Sequence, residues 1–189
     1  MRIIVKLLVV VSLFVSIYGL AFSQFSIEEQ NRLMYLTTPN ENHELLAKLS
    51  GRWKQNYQYT KGESLEYGKG FSENKMIFGN RFIEILNNID YFGTVTSTMQ
   101  IIGFDNYAQQ YTIYSIDEVG TDSKFAFGNY YPDKKQLIFE KQVDVLNPEK
   151  AAFKIIISFE RENKFTYEFY LKDKEKYRRV LLIQNIKQE

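Results

Sequence analysis

From residue 51 onward the chain alternates apolar and polar positions with a period of two. Trp53, Tyr57 and Tyr59 share one parity. Phe153, Ile155, Ile157 and Phe159 alternate with Lys154, Ile156, Ser158 and Glu160, and Phe165, Tyr167, Phe169 and Leu171 alternate with Lys164, Thr166, Glu168, Tyr170 and Lys172. Successive side chains of a strand point to opposite faces, so this pattern predicts antiparallel strands with one side buried and one side wet. Turn signals separate the runs: Lys61-Gly62, Phe78-Gly79-Asn80, Asp90 to Gly93, Asp105-Asn106, Gly120-Thr121, Pro132-Asp133, Asn147-Pro148, Glu162-Asn163 and Lys172-Asp173. Between them lie about ten short strands with no helix interposed, the pattern of a sandwich or a barrel. A meander of that size closes readily, and closure removes the edge strands. The stretch Thr94 to Thr121 shows the grammar best: strand, a bend at Gly103-Phe104-Asp105-Asn106, then a return strand from Tyr111 to Asp117.

Before residue 51 the periodicity is helical. Ser26-Ile27-Glu28-Glu29 spells a capping box ahead of a helix over Ile27 to Leu36. A second helix is expected with Thr38 as N-cap, Pro39 at the first position and Glu41 at the third. Leu45, Leu46 and Leu49 form its apolar stripe and Gly51 stops it. Standing ahead of the strands, these helices are placed to cover one end of a barrel.

The first residues follow a different rule. Arg2 and Lys6 form a basic stretch, Leu7 to Ile17 is apolar apart from Ser12 and Ser16, and Ala21-Phe22-Ser23 offers small residues where a signal peptidase reads. The expected organisation is therefore a signal peptide over 1–23, a helical segment over 24–50 and a β-barrel domain over 51–189. Cleavage before Gln24 would deliver the mature chain to the periplasm or the outside of the cell. Without Arg2 and Lys6 the chain has 22 basic against 23 acidic residues, a net charge of −1. So balanced a surface argues against a nucleic-acid partner, which needs a basic stripe. No membrane association is expected once the leader is gone.

Absent residue types narrow the chemistry. There is no Cys, hence no disulfide, no thiolate nucleophile, no sulfur-ligated metal and no lipidated cysteine. His43 is the single histidine, too little for a histidine metal cluster, and its helical position reads as a surface or capping residue. No Gly-x-Ser-x-Gly elbow accompanies it. The expectation is no catalytic residue, no metal and no cofactor. Candidate ligand groups remain. Asp117 shares a strand face with Tyr111, Ile113 and Ser115, and Arg81 precedes Ile83 and Ile85 on its own face. If those faces are internal, Arg81 offers a donor fork either to Asp117 or to an acidic ligand headgroup, with Tyr111 and Ser115 beside it. If they lie at a rim, Arg81 and Asp117 merely end strands.

Several short motifs resemble, in order and spacing, the bacterial domain-of-unknown-function family numbered 1579. They are His43-Glu44-Leu45-Leu46, Gly51-Arg52-Trp53, Gly79-Asn80-Arg81-Phe82, Gly103-Phe104-Asp105-Asn106, Tyr111, Ile116-Asp117 and Gly120-Thr121. The resemblance spans about 39–185 and implies a calycin-like, lipocalin-type barrel. Gly51-x-Trp53 is similar to the lipocalin signature, which implies that Trp53 plugs the closed end with Arg178 or Arg179 beside its ring. Gly51, Trp53, Gly103 and Asp105 are then structural positions. Asn80 stands where the family usually has Gly, and Ser115 where it usually has Trp. Three readings stay open: a secreted barrel binding a small apolar or amphipathic ligand, a structural or interaction barrel filled by its own side chains, and an enzyme working through carboxylates or tyrosines. The direction taken by the 27 aromatic residues beyond residue 23 separates the first two.

Overall fold

A computed structural model describes residues 26–91, 94–141 and 152–188. The signal-peptide reading of 1–23 and the turn at Asn147-Pro148 lie outside the described residues. The chain divides into two compact units between Thr38 and Pro39. The first contains helix α1 (Ile27–Thr37). Ser26 Oγ accepts from the Glu29 N–H at 3.2 Å and the Glu29 carboxylate accepts from the Ser26 N–H at 2.7 Å, the reciprocal pair that the Ser-x-x-Glu spacing predicts.

The second unit opens with helix α2 (Glu41–Ala47). Its N-cap is Asn40, not Thr38, which instead closes α1. Asn40 Oδ1 accepts from the Asn42 N–H at 3.0 Å, and the Asn40 N–H donates to His43 Nδ1 at 3.0 Å. An asparagine caps at least as well as a threonine, and here His43 completes a box that a Thr38 cap could not have reached.

Ten strands follow: β1 (Gly51–Lys61), β2 (Ser64–Ile77), β3 (Phe82–Tyr91), β4 (Thr94–Asp105), β5 (Gln110–Asp117), β6 (Lys124–Tyr131), β7 (Gln136–Lys141), β8 (Phe153–Arg161), β9 (Lys164–Asp173) and β10 (Lys176–Lys187). Each pairs antiparallel with the next, and β10 returns to β1 in register from Trp53 opposite Lys187 to Tyr59 opposite Leu181. The sheet is therefore a closed antiparallel barrel, as the strand count implied. One detail differs. Gly103 and Phe104 lie within β4, and the bend comes later, where the Asp105 carboxylate accepts from the N–H groups of Tyr107 at 2.7 Å and Ala108 at 3.1 Å. Gly103 is required for another reason: a Cβ there would stand 2.4 Å from the Phe82 ring on the neighbouring strand. Gly51 opens β1 at φ 127°, a conformation side chains avoid.

The inward parity is the one that carries Trp53, Ile83, Ile85, Ile102, Ile113, Leu137, Ile155, Ile157 and Ile183, all buried. Leu45, Leu46 and Leu49 join this cluster from α2 and the turn after it, so α2 seals one end of the barrel. The turns β2–β3, β4–β5, β6–β7 and β8–β9 share that closed end. The turns β1–β2, β5–β6 and β9–β10 lie at the other end, the open end, which no described helix of the barrel unit covers. Aromatics point both ways: Tyr67, Phe71, Tyr114, Phe125 and Phe127 are exposed on the outer surface.

Candidate functional site

At the closed end Trp53 is 1% exposed, and its indole N–H donates to the Leu49 carbonyl at 2.9 Å. Its ring meets Phe165 edge-on at 4.7 Å between centroids. The cation beside it is Lys187, 5.4 Å from the ring centre, not Arg178 or Arg179. Antiparallel closure dictates this. Trp53 lies at the start of β1, so its partner must come from the end of β10. Arg178 and Arg179 lie at the far end of β10, where Arg178 donates to the Gly62 carbonyl and Arg179 to Glu168 at 2.8 Å.

His43 is a capping residue, as its position suggested, but a buried one rather than a surface one. Its ring stands edge-on to Phe104 at 5.9 Å. Burial first, and the charge of Arg81 second, push its pKa below the ordinary value, and a hydrogen bond to the Phe104 backbone only partly opposes them. Among the described residues no group of three His, Cys, Asp or Glu could hold a metal.

The four candidate ligand residues do not form one site. Arg81 stands just before β3 at the closed end, where its guanidinium donates to the carbonyls of Phe78 at 3.2 Å and Gly79 at 3.4 Å. Asp117 ends β5, which runs in the same direction as β3, so the two are at opposite ends of the barrel. An Arg81–Asp117 pair does not form. Asp117 pairs with Lys124 at 3.3 Å and accepts the Val119 and Gly120 N–H groups at 3.0 and 2.9 Å. Burial pushes its carboxyl up, but those backbone donors and the Lys124 ammonium outweigh burial and hold it below the usual range. Tyr111 belongs to the closed end, buried against Phe104, with its hydroxyl donating to Asn42 Oδ1 at 2.9 Å. Ser115 is buried and faces inward, opposite Gln100 and Lys124.

Between the two ends lies a layer that the alternation does not mark. Gln55 is 1% exposed and sits at its centre. Its amide NH2 donates to Asn87 Oδ1 and to Asn185 Oδ1, both at 2.8 Å, and its carbonyl accepts the Tyr57 hydroxyl. Asn87 passes the chain on to Thr98 Oγ1 at 3.0 Å, and Gln100 donates to the Tyr167 hydroxyl at 3.1 Å. Burial raises the pKa of both phenols, so they stay protonated. The space between Gln55, Asn87, Gln100, Tyr167 and Asn185 amounts to about 10 Å³, room for one water molecule. The sequence did hold a signal for this belt: Gln55 follows Trp53 by two, Asn87 follows Ile85 by two and Asn185 follows Ile183 by two.

Beyond the belt, toward the open end, inward-facing residues become partly exposed. Tyr59, Phe169 and Leu181, from β1, β9 and β10, form an apolar arc, with Ile89 of β3 beside it. Thr98, Asp117 and Lys124, from β4, β5 and β6, form a polar arc.

No curated protein matches the chain. The family model described as "Protein of unknown function (DUF1579)" matches residues 38–184, which takes in α2 and all ten strands up to the middle of β10. The match covers most of the chain, so the chain belongs to that family, whose description assigns no function.

Proposed function

We propose that this chain is an exported barrel that takes a small apolar or amphipathic molecule into the open half of its lumen. The observation that carries the reading is the partial exposure of inward-facing Tyr59, Ile89, Phe169 and Leu181 beyond the belt, in contrast to the burial of Trp53, Ile83, Ile102, Ile113 and Leu137 on the same parity before it. A ligand that covered the exposed part of these apolar groups would gain their burial. The facing arc of Thr98, Asp117 and Lys124 supplies the few polar groups that orient a ligand. Export rests on the basic-apolar-small pattern of 1–23.

A second reading, a filled barrel without a ligand, is favoured by one observation. The belt leaves only about 10 Å³, so nothing larger than water passes it. Native mass spectrometry of protein from the exported fraction, together with titration of a dansyl-labelled undecanoic acid, separates the two. The binding reading expects a co-purifying species or saturable dansyl enhancement, lost in Phe169→Arg and Leu181→Arg. No bound mass and no saturable signal would establish the filled barrel. A signal that survives both arginine variants would place the ligand elsewhere.

A further inference from the structure

The closed end carries a second concavity, at the barrel rim beside α2 and on the far side of the amide belt from the open half of the lumen. Between α2, the β6–β7 turn and the β8–β9 hairpin lies a cleft of about 660 Å³, inside the range of roughly 300–1,000 Å³ that small-molecule sites occupy. Its floor is apolar. Tyr130 and Phe159 stand edge-on at 6.1 Å, with Leu45, Trp53 and Phe165 beneath them. Its rim is basic: Lys48, Lys135, Arg161 and Lys187 surround it, against Glu160 and Glu162.

The balance tips further toward positive charge because Glu160 is already engaged, its carboxylate 2.7 Å from Lys164 Nζ. None of the four cations has an ion-pair partner among the described residues. Lys187 lies over the Trp53 ring, which holds the ammonium at the edge of the apolar floor. An adjoining cleft of about 580 Å³ provides an internal contrast. It shares Leu45, Lys48, Tyr130 and Pro132 with the first, but its other wall carries Glu41 and Glu44. Two neighbouring concavities with a common wall thus differ in sign: Lys48 faces two carboxylates in one, whereas in the other four cations surround an aromatic floor.

We propose that the basic cleft binds a small organic carboxylate, its apolar body laid against Tyr130 and Phe159 and its carboxylate received by Lys187 and Arg161. The apolar floor supplies the burial, and the cations supply the selection for a negative group. A neutral molecule of the same shape would gain the first and not the second.

The single Trp makes the test direct, because one indole N–H signal reports this cleft in a 15N-labelled full-length mature chain. That signal is followed during titration with 2-naphthoate and, separately, with uncharged 2-naphthylmethanol. A saturable shift is expected with naphthoate, with the alcohol weaker by about tenfold. The variants Lys187→Gln and Arg161→Gln replace exposed side chains, so the fold is retained. Together they should weaken naphthoate by about tenfold or more, whereas Glu41→Gln in the adjoining cleft should leave it unchanged. The proposal is overturned by any of three results: no saturable shift, equal responses to carboxylate and alcohol, or an undiminished response in the double variant. Because the belt separates this cleft from the open half of the lumen, failure here leaves the lumen reading intact, and loss of dansyl binding there leaves this one intact.

Discussion

At the closed half of the barrel, Trp53, Ile83, Ile102, Ile113, Leu137 and Phe165 meet beneath Leu46 and Leu49, all of them buried. At the open half the same strands and the same parity bring Tyr59, Ile89, Phe169 and Leu181 inward, and those remain half-buried. Strand pattern alone cannot account for the difference, since alternation is equally regular in both halves. The difference lies in what closes each end. Among the described residues of the barrel unit, helix α2 covers one end, and the amide belt separates the two regions. The closed half is therefore the part packed beneath α2, and the open half is the part that the proposed ligand would enter.

Substitution of the core residue of each half should split them most widely. Trp53→Ala removes the largest fully buried side chain and is expected to cost about 3–5 kcal/mol in urea unfolding. Leu181→Ala, at a half-buried position, should cost less than about 2 kcal/mol, because part of its surface is already wet. Equal losses would erase the distinction between the halves.

The belt comes next. Gln55→Leu fills the same space but strands Asn87 Oδ1, Asn185 Oδ1 and the Tyr57 hydroxyl. Each buried group left without a partner costs about 1–3 kcal/mol, so a loss of roughly 3 kcal/mol is expected after partial rearrangement. Lys124→Ala, which breaks the rim pair with Asp117, should change stability by less than about 1 kcal/mol. A rim change larger than the belt change would invert the comparison.

The two ends should also respond to acid in different ranges. The folded state holds His43 neutral with a depressed pKa, so the unfolded chain binds its proton first. Stability is then intact above the unfolded value of about 6.5 and falls as the pH drops below it toward the folded value. Asp117 is likewise depressed, but from a carboxylate value, so its contribution persists through that window and is lost only below about pH 4 as the pH falls through its folded pKa. Urea midpoints measured from pH 7.5 to 5 should decline, and His43→Ala should flatten the decline. An equally steep decline in that variant would place the titrating group elsewhere.

The smallest expected number is a coupling energy. Arg81 and Asp117 occupy opposite ends of the barrel, so the losses from Arg81→Ala and Asp117→Asn should add to within about 0.5 kcal/mol in the double variant. A larger coupling would mean that the two residues meet.

Local physics made much of this molecule legible in its sequence. The Ser26–Glu29 box, the positions of most turns, the alternation in β8 and β9 and the strand count all depend on neighbours within a few residues, and they stand as read. The helix-capping role of His43 was legible too, although its burial was not, because α2 becomes a lid only when Leu45, Leu46 and Leu49 find the barrel end. Asn40 is the cap in place of Thr38, which closes α1, and His43 answers it from the third helical position. What the tertiary structure alone decided are the pairings across the closed circle. A Gln or Asn in an alternating strand reads as wet, and Gln55 becomes a buried hub only because closure brings Asn185 to it across 130 positions of sequence. The cation at Trp53 was decided the same way, by a register that puts Lys187 opposite it and carries Arg178 and Arg179 to the far end. Buried polar groups and ion pairs need complementary partners at a defined distance, and the ring of strands sets that distance after the local pattern has done its part.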